Sequence, residues 1–238
     1  MHRKNGPAKA FYFKQFQIEH DRCAMKVGTD GVLLGAWANI ENRKCVLDIG
    51  TGSGLIALMV AQRSVQSQIE AIEIHRESFL QACENIKVSP WKNRIKVFHS
   101  ALQAFEPQHQ YDLILCNPPY FVNSLKPDNK SRATSRHTDQ LPFPDLVHFV
   151  KRHLTDDGTL QVVLPVKEGN SFTQLAAKES LFCIRRTEVI TRPGKPVERL
   201  LLEFSRHSKP TSKSTMTLEG ENGEKTGEFQ SLTENFYL

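Results

Sequence analysis

Asn117-Pro118-Pro119-Tyr120, followed by Phe121, sets an amide, two prolines and two aromatic rings in consecutive positions. Proline fixes φ and removes an N–H donor, so the Asn117 amide oxygen and the Pro118 carbonyl can face one incoming NH₂ group as a pair of acceptors. An amine on an aromatic ring is a weak nucleophile because its lone pair is delocalised into the ring. Two acceptors favour pyramidalisation and free that pair, and they present negative dipole ends where positive charge develops during attack. No general base is required, since the product ammonium loses its proton readily. Tyr120 and Phe121 add a flat apolar platform. Stacking a base on such a ring contributes about 1–3 kcal/mol, enough to help hold an unstacked base. The expected catalytic residues are Asn117, Pro118, Pro119 and Tyr120, acting on a planar exocyclic amine. The same four residues also make rigid β-turns, so what precedes them decides between the readings.

A ligand-type loop precedes them. Val46-Leu47-Asp48-Ile49-Gly50-Thr51-Gly52-Ser53-Gly54 closes an apolar run and opens a helical one, with glycines where the chain turns sharply and a ligand can approach the backbone. Dinucleotide sites use G-x-G-x-x-G to seat a pyrophosphate on a helix N-terminus. Here D-x-G-x-G-x-G puts the Asp48 carboxylate where a pyrophosphate would be repelled. The exchange suits a cofactor that carries a cationic ammonium and a sulfonium, whose methyl an amine can take. At the end of the next β-like run, Glu73 in Ile72-Glu73-Ile74 can accept from both ribose hydroxyls, as acidic residues do in doubly wound folds. After the third run, Ser100-Ala101-Leu102 lies where the adenine of such a cofactor would rest, leaving its contact to Ala101 and the backbone. The expected cofactor residues are Asp48, Gly50, Thr51, Gly52, Gly54, Glu73, Ile74 and Ala101, with Asn117 closing the site.

Elements that gather strand ends are needed to bring these residues together. The runs 44–50, 68–74, 94–100, 111–117 and 158–165 read as strands. Between them 54–63, 76–88 and 142–154 repeat every 3.6 residues, with Leu146, Phe149, Val150 and Leu154 on one helical face. The alternation predicts an α/β fold, a mostly parallel sheet with helices on both faces. Runs 182–190 and 199–207 are joined by Arg192-Pro193-Gly194-Lys195-Pro196, a connection that fits only an antiparallel pair, so the sheet should end in a hairpin. A further pair near 214–219 and 225–230 can close through Asn222-Gly223, although its polar surroundings fit a solvated tail equally well. Residues 11–18 alternate as a strand, and Thr29 or Asp30 can cap a short helix through Val32, Leu33, Leu34 and Trp37. The expected organisation is a lid or substrate segment over 1–43, a catalytic domain over 44–207 and a hairpin or tail over 208–238, in one globular unit. The irregular stretch 121–141 has a length usual for functional loops.

A chain of 238 residues can bury one sizeable core. Its net charge of +5 permits contact with phosphate backbones without demanding it. Cys23, Cys45, Cys83, Cys116 and Cys183 are too scattered for a zinc ribbon or a disulfide framework, which points to a reducing cytoplasm and no metal. No apolar run approaches the roughly 18 residues of a membrane span, and a soluble monomer is expected.

Taken together, Asp48 to Gly54, Glu73 and Asn117 to Tyr120 resemble the class I methyltransferases that modify exocyclic amines, over roughly residues 11–207 in element order. The resemblance implies a Rossmann-like fold and S-adenosyl-L-methionine as cofactor. The stretch Phe16 to Trp37, with Glu19-His20-Asp21-Arg22 and Lys26-Val27-Gly28-Thr29-Asp30-Gly31, is similar to the bacterial family that N6-methylates the adenine beside the anticodon of valine tRNA. The terminal Asn235-Phe236-Tyr237-Leu238 resembles that family's ending. By this resemblance Lys26, Gly28, Thr29 and Asp30 belong to a lid on the methionine end of the cofactor, and tRNA is the partner.

A tRNA must be gripped by its phosphates. The loop beyond the aromatic platform supplies Lys126, Lys130, Arg132 and Arg136, which with Phe121 form the expected RNA-binding set; Arg3, Lys4, Lys9 and Lys14 face it from the amino terminus. Such binding weakens as salt rises. His137, with no partner visible in sequence, reads as an ordinary loop histidine. Motif chemistry alone leaves a guanine N2-methyltransferase or a protein glutamine methyltransferase open. An RNA-binding module that kept the fold is opposed by Asp48, Glu73 and Asn117, and a nicotinamide-dependent oxidoreductase by Asp48 and the lack of G-x-G-x-x-G.

Overall fold

A computed structural model describes residues 10–23, 25–119 and 141–238. Its strands β3 (Cys45–Ile49), β4 (Gln68–Glu73), β5 (Ile95–His99), β6 (Tyr111–Cys116) and β7 (Leu154–Pro165) fall on the expected runs. Between them lie helices α2 (Leu55–Arg63), α3 (Arg76–Val88) and α4 (Phe143–His153). With β8 (Phe182–Ile190), β9 (Val197–Ser205) and β10 (Ser212–Thr217), they form an eight-stranded sheet in the order β10-β8-β9-β7-β6-β3-β4-β5. Central β3 pairs in parallel with both β4 and β6. The chain's progress across the sheet reverses there, which opens a crevice at the strands' C-terminal ends. Ile49 lies opposite Cys116, so the segments beginning at Gly50 and Asn117 leave adjacent strands side by side.

Side chains alternate between two cores. Val46, Ile69, Ala71, Leu113 and Val163 face the layer of α1 (Thr29–Trp37) and α2. Leu47, Ile49, Ile72, Ile114 and Leu164 face α4 and α5 (Val166–Lys178). Full burial of each such aliphatic side chain contributes about 1.5–3 kcal/mol. No helix among the described residues is long and apolar enough to cross a membrane.

The structure departs from the sequence expectations at several places. Helix α5 was not anticipated, because its buried stripe is only Gly169, Phe172 and Ala176 among polar residues. It carries the chain from β7 over to β8, with β9 between them. Strand β7 begins at Leu154, directly at the end of α4, rather than at 158. The alternating stretch 11–18 is a small antiparallel pair, β1 (Ala10–Tyr12) and β2 (Gln17–Glu19). Neither Thr29 nor Asp30 caps α1. Both already lie in its first turn, and the N-cap is Gly28, in extended backbone with no side-chain bond. Gly31 through Trp37 of α1 are all buried. A methyl group on Gly35 would sit 2.7 Å from Met59 Sδ, so α1 packs closely on α2.

Strands β8 and β9 form the expected antiparallel hairpin. The second hairpin does not form. The turn at Asn222-Gly223 is present, with Gly223 at φ +84° and a single bridge from Glu219 to Lys225. Thr226 Oγ1 then accepts from Phe229 N and caps α6 (Gly227–Thr233), which buries Phe229 and Thr233. Strand β10 pairs with β8 in parallel instead. The 208–238 segment thus supplies an edge strand and a helix. It also reaches the amino-terminal pair: Lys14 N donates to Phe236 O at 2.8 Å and Lys14 Nζ to Glu234 O at 2.6 Å. Phe13 stacks with Phe16 and Tyr237.

Candidate active site

The loop after β3 turns on three glycines with positive φ: Gly50 at +69°, Gly52 at +57° and Gly54 at +86°. Side chains other than glycine rarely adopt that region. A Cβ on Gly50 or Gly52 would meet no atom within 4 Å, so this backbone faces open space. Gly50 N and Thr51 N both donate to Ile72 O, which ties the loop to β4.

Two carboxylates brace this loop in different ways. Glu73 accepts from Gly52 N at 2.9 Å through one oxygen and from His75 N at 2.8 Å through the other. A carboxylate has about four acceptor positions, so both oxygens retain capacity toward the cavity that Glu73 lines. Asp48 is fully buried beneath the loop and does not line that cavity. Its Oδ2 accepts from Thr51 Oγ1 at 2.6 Å and from Ala57 N at 3.2 Å, while Oδ1 has no partner among the described residues. Burial pushes its pKa up to about 7, against the pull of those two hydrogen bonds.

The loop opens on a cavity of about 960 Å³. Gly50, Thr51, Gly52, Glu73, Ile74 and Asn117 line it, as do Lys26, Gly28, Thr29 and Asp30 from the approach to α1. The ends of the first and fourth parallel strands therefore share one space, as the chemistry requires. Pro119 lines it too, whereas Pro118, Gly54 and Ala101 do not. Gly54 packs instead against α3, where a methyl group would lie 3.5 Å from Ile86 Cδ1. Ala101 opens a short 3₁₀ turn over Leu102–Ala104, and its neighbours Ser100, Leu102 and Gln103 reach the cavity.

Asn117 is the polar group this site leaves open. Its Oδ1 is buried and has no hydrogen-bond partner among the described residues. A buried acceptor without a donor costs about 1–3 kcal/mol, and such groups are rare outside working sites. Gly31 of α1 lies beside it: a Cβ there would stand 4.0 Å from Asn117 Nδ2 and, more tightly, 3.1 Å from Leu55 Cδ2. Tyr120, Phe121, Lys126, Lys130, Arg132 and Arg136 lie outside the described residues.

Sequence reasoning missed the far wall. Val189, Thr191, Glu198, Arg199 and Leu218 also line the cavity. Strands β8 and β10 end, and β9 begins, at the edge of the sheet where β3 and β6 end. Arg199 Nε pairs with Asp30 Oδ2 at 3.0 Å and joins this wall to α1. The expected hairpin was the available signal, because an antiparallel strand next to β7 must begin where the parallel strands finish.

Residues 27–179 match the sequence profile of the methyltransferase small domain. The chain belongs to the methyltransferase small domain family. Among the similar relatives of this family member is the tRNA1(Val) (adenine(37)-N6)-methyltransferase of Trichodesmium erythraeum, 46% identical over 96% of this chain and 97% of that protein. The protein of the same name from Parabacteroides distasonis is 47% identical with the same coverage. Solved structures share the class I methyltransferase fold. A predicted O-methyltransferase from Agrobacterium tumefaciens superposes with TM-score 0.69 at 16% identity, over 87% of this chain and 96% of that one. The glycopeptide N-methyltransferase MtfA complexed with (S)-adenosyl-L-methionine superposes with TM-score 0.56 at 11% identity, over 76% of this chain and 99% of that one.

Proposed function

We propose that this methyltransferase transfers the methyl group of S-adenosyl-L-methionine to the N6 amine of adenine 37 in tRNA1(Val), the substrate named for its relatives. The observation that carries the chemistry is the buried, unpartnered Asn117 Oδ1 on the same cavity as Glu73 and the glycine loop.

The residues present fit the cofactor. Glu73 has acceptor capacity for two ribose hydroxyls, and Gly50 and Gly52 leave room against the backbone. Lys26, Gly28, Thr29 and Asp30 bound the other side, and Ile74 and Leu102, with Ser100 beside them, offer the adenine a seat. Asp48 acts from beneath, holding Thr51 and the first turn of α2 in place. When bound, the cofactor supplies an electrophilic methyl group on its sulfonium.

The chain's own part is positional and electrostatic. Asn117 Oδ1 and the Pro118 carbonyl accept the two hydrogens of the adenine amine, localise its lone pair and stabilise the charge that grows on nitrogen. Holding both reactants in one cavity makes the step effectively unimolecular. Tyr120 and Phe121 serve as the stacking platform. Lys126, Lys130, Arg132 and Arg136 hold the tRNA backbone. On this reading the protein acts in the cytoplasm as a monomer.

Mass spectrometry of nucleosides from total tRNA incubated with the protein and labelled cofactor tests this reading. The expected product is N6-methyladenosine from valine tRNA. Label on guanine, or on no tRNA at all while a protein substrate accepts it, would refute the assignment.

A further inference from the structure

Helix α3 touches both walls of the cavity through one ridge. Gln81, Ala82, Asn85 and Ile86 share a face by their helical spacing. Ala82 and Ile86 pack beneath Gly54 of the glycine loop. Asn85, almost fully buried, gives one amide hydrogen to Ser53 O at 2.9 Å in that loop and the other to Glu19 O at 2.8 Å at the end of β2. Its Oδ1 accepts from Glu19 N at 2.9 Å.

Gln81 holds the next turn of chain. Its Nε2 donates to Asp21 Oδ1 at 2.8 Å, and its Oε1 accepts from Arg22 N at 2.8 Å. From there the backbone runs along the cavity wall through Lys26 to Gly28, and His20 Nδ1 accepts from Val27 N at 2.9 Å. Neither Asn85 nor Gln81 lines the cavity.

We infer that Asn85, seconded by Gln81, is a positioning residue that sets the spacing between the glycine loop and the amino-terminal wall, and thereby the affinity for the cofactor. The inference rests on reading the cavity as the S-adenosyl-L-methionine site. Asn85 contacts neither reactant, so its influence falls on binding and not on the methyl-transfer step. Asn85→Asp is the sharpest probe. It keeps an acceptor for Glu19 N but loses both donors and sets a carboxylate against two carbonyl oxygens.

The test measures the Kd for S-adenosyl-L-methionine by calorimetry, with kcat and both KM values, for the full chain carrying Asn85→Asp, Asn85→Ala or Gln81→Leu. Both Asn85 variants should raise the cofactor Kd and KM roughly tenfold, and Gln81→Leu about threefold. The kcat at saturating cofactor and the KM for tRNA should stay within about twofold of wild type. Thr233→Val, which removes a buried hydroxyl bond to Phe229 O in α6, should lower Tm with unchanged cofactor affinity. Unchanged cofactor affinity in Asn85→Asp and Gln81→Leu overturns the inference, whatever happens to Tm. A kcat at saturation that falls as far as Kd rises does the same. If the Asn85 variants do not fold, Gln81→Leu decides alone. Absence of binding by the wild-type protein instead sinks the proposed function.

Discussion

Asn in place of Asp48 tests whether the carboxyl group under the glycine loop sits there protonated. Burial is the main cause that raises its pKa from 3.8 to about 7, with the Glu73 charge adding to the rise. Between about pH 4 and pH 7 the folded protein keeps a proton that the unfolded chain has released. Stability due to this group is therefore complete below about pH 4, falls across that window and is flat above it. Three pKa units at 1.36 kcal/mol each give a swing of about 4 kcal/mol. Asn does not titrate. It keeps one oxygen for Thr51 and Ala57, and its NH₂ takes the place of Oδ1, which lacks a partner among the described residues. The protonated acid leaves a hydroxyl in the same position, so the exchange costs only about 1 kcal/mol for the second N–H. Variant minus wild-type stability should run from about −1 kcal/mol below pH 4 to about +3 kcal/mol above pH 7, changing sign at about pH 4.5. Urea unfolding of both ligand-free proteins across that range measures the difference and cancels every other titrating group. A difference that does not vary with pH, or a variant less stable at about pH 8, refutes the protonated carboxyl.

Asn117→Ala should lower kcat by about 10²–10³-fold, the loss typical of one pre-placed dipole, with cofactor affinity near wild type by calorimetry; equal loss of both would move the chemistry elsewhere. Glu73→Ala leaves the amides of Gly52 and His75 without their acceptor. It should weaken cofactor binding by at least about tenfold, and an unchanged Kd would remove Glu73 from the ribose. Charge reversal at Arg132 and Arg136 together should raise the KM for tRNA and flatten its salt dependence, while an effect confined to Tm would count against an RNA-facing loop.

The parallel half of the sheet was legible because β3, β4 and β6 are largely buried and run into glycine, an acid or proline at the crevice. Asp48-x-Gly-x-Gly-x-Gly and Asn117-Pro118-Pro119 located both sides of the cavity for the same reason: the turns they make are available to few other residues. Helix α5 was not legible. Its buried residues are Phe172, Gly169 and Ala176, with Val166 and Leu175 only partly covered, too thin a stripe to stand out against Lys167, Glu168, Asn170 and Gln174. The far wall escaped because Thr191, Glu198 and Leu218 acquire meaning only once three strand ends converge. Asp48 stood out in the sequence as a cofactor residue, yet its burial under the loop and away from the cavity depends on packing that a motif does not record. Asn85 looked like one more polar residue on an amphipathic helix until Glu19 and Ser53 appeared on either side of it.

The bonds joining Lys14 to Glu234 and Phe236 connect positions more than two hundred residues apart, 220 in the case of Lys14 and Glu234. At a synthesis rate of roughly 5–20 residues per second, the amino-terminal pair waits about 10–40 s on the ribosome for its aromatic partners. During that interval Phe11 and Phe13 lack the ring of Tyr237, which can reach them only after the last residues of the chain have left the ribosome.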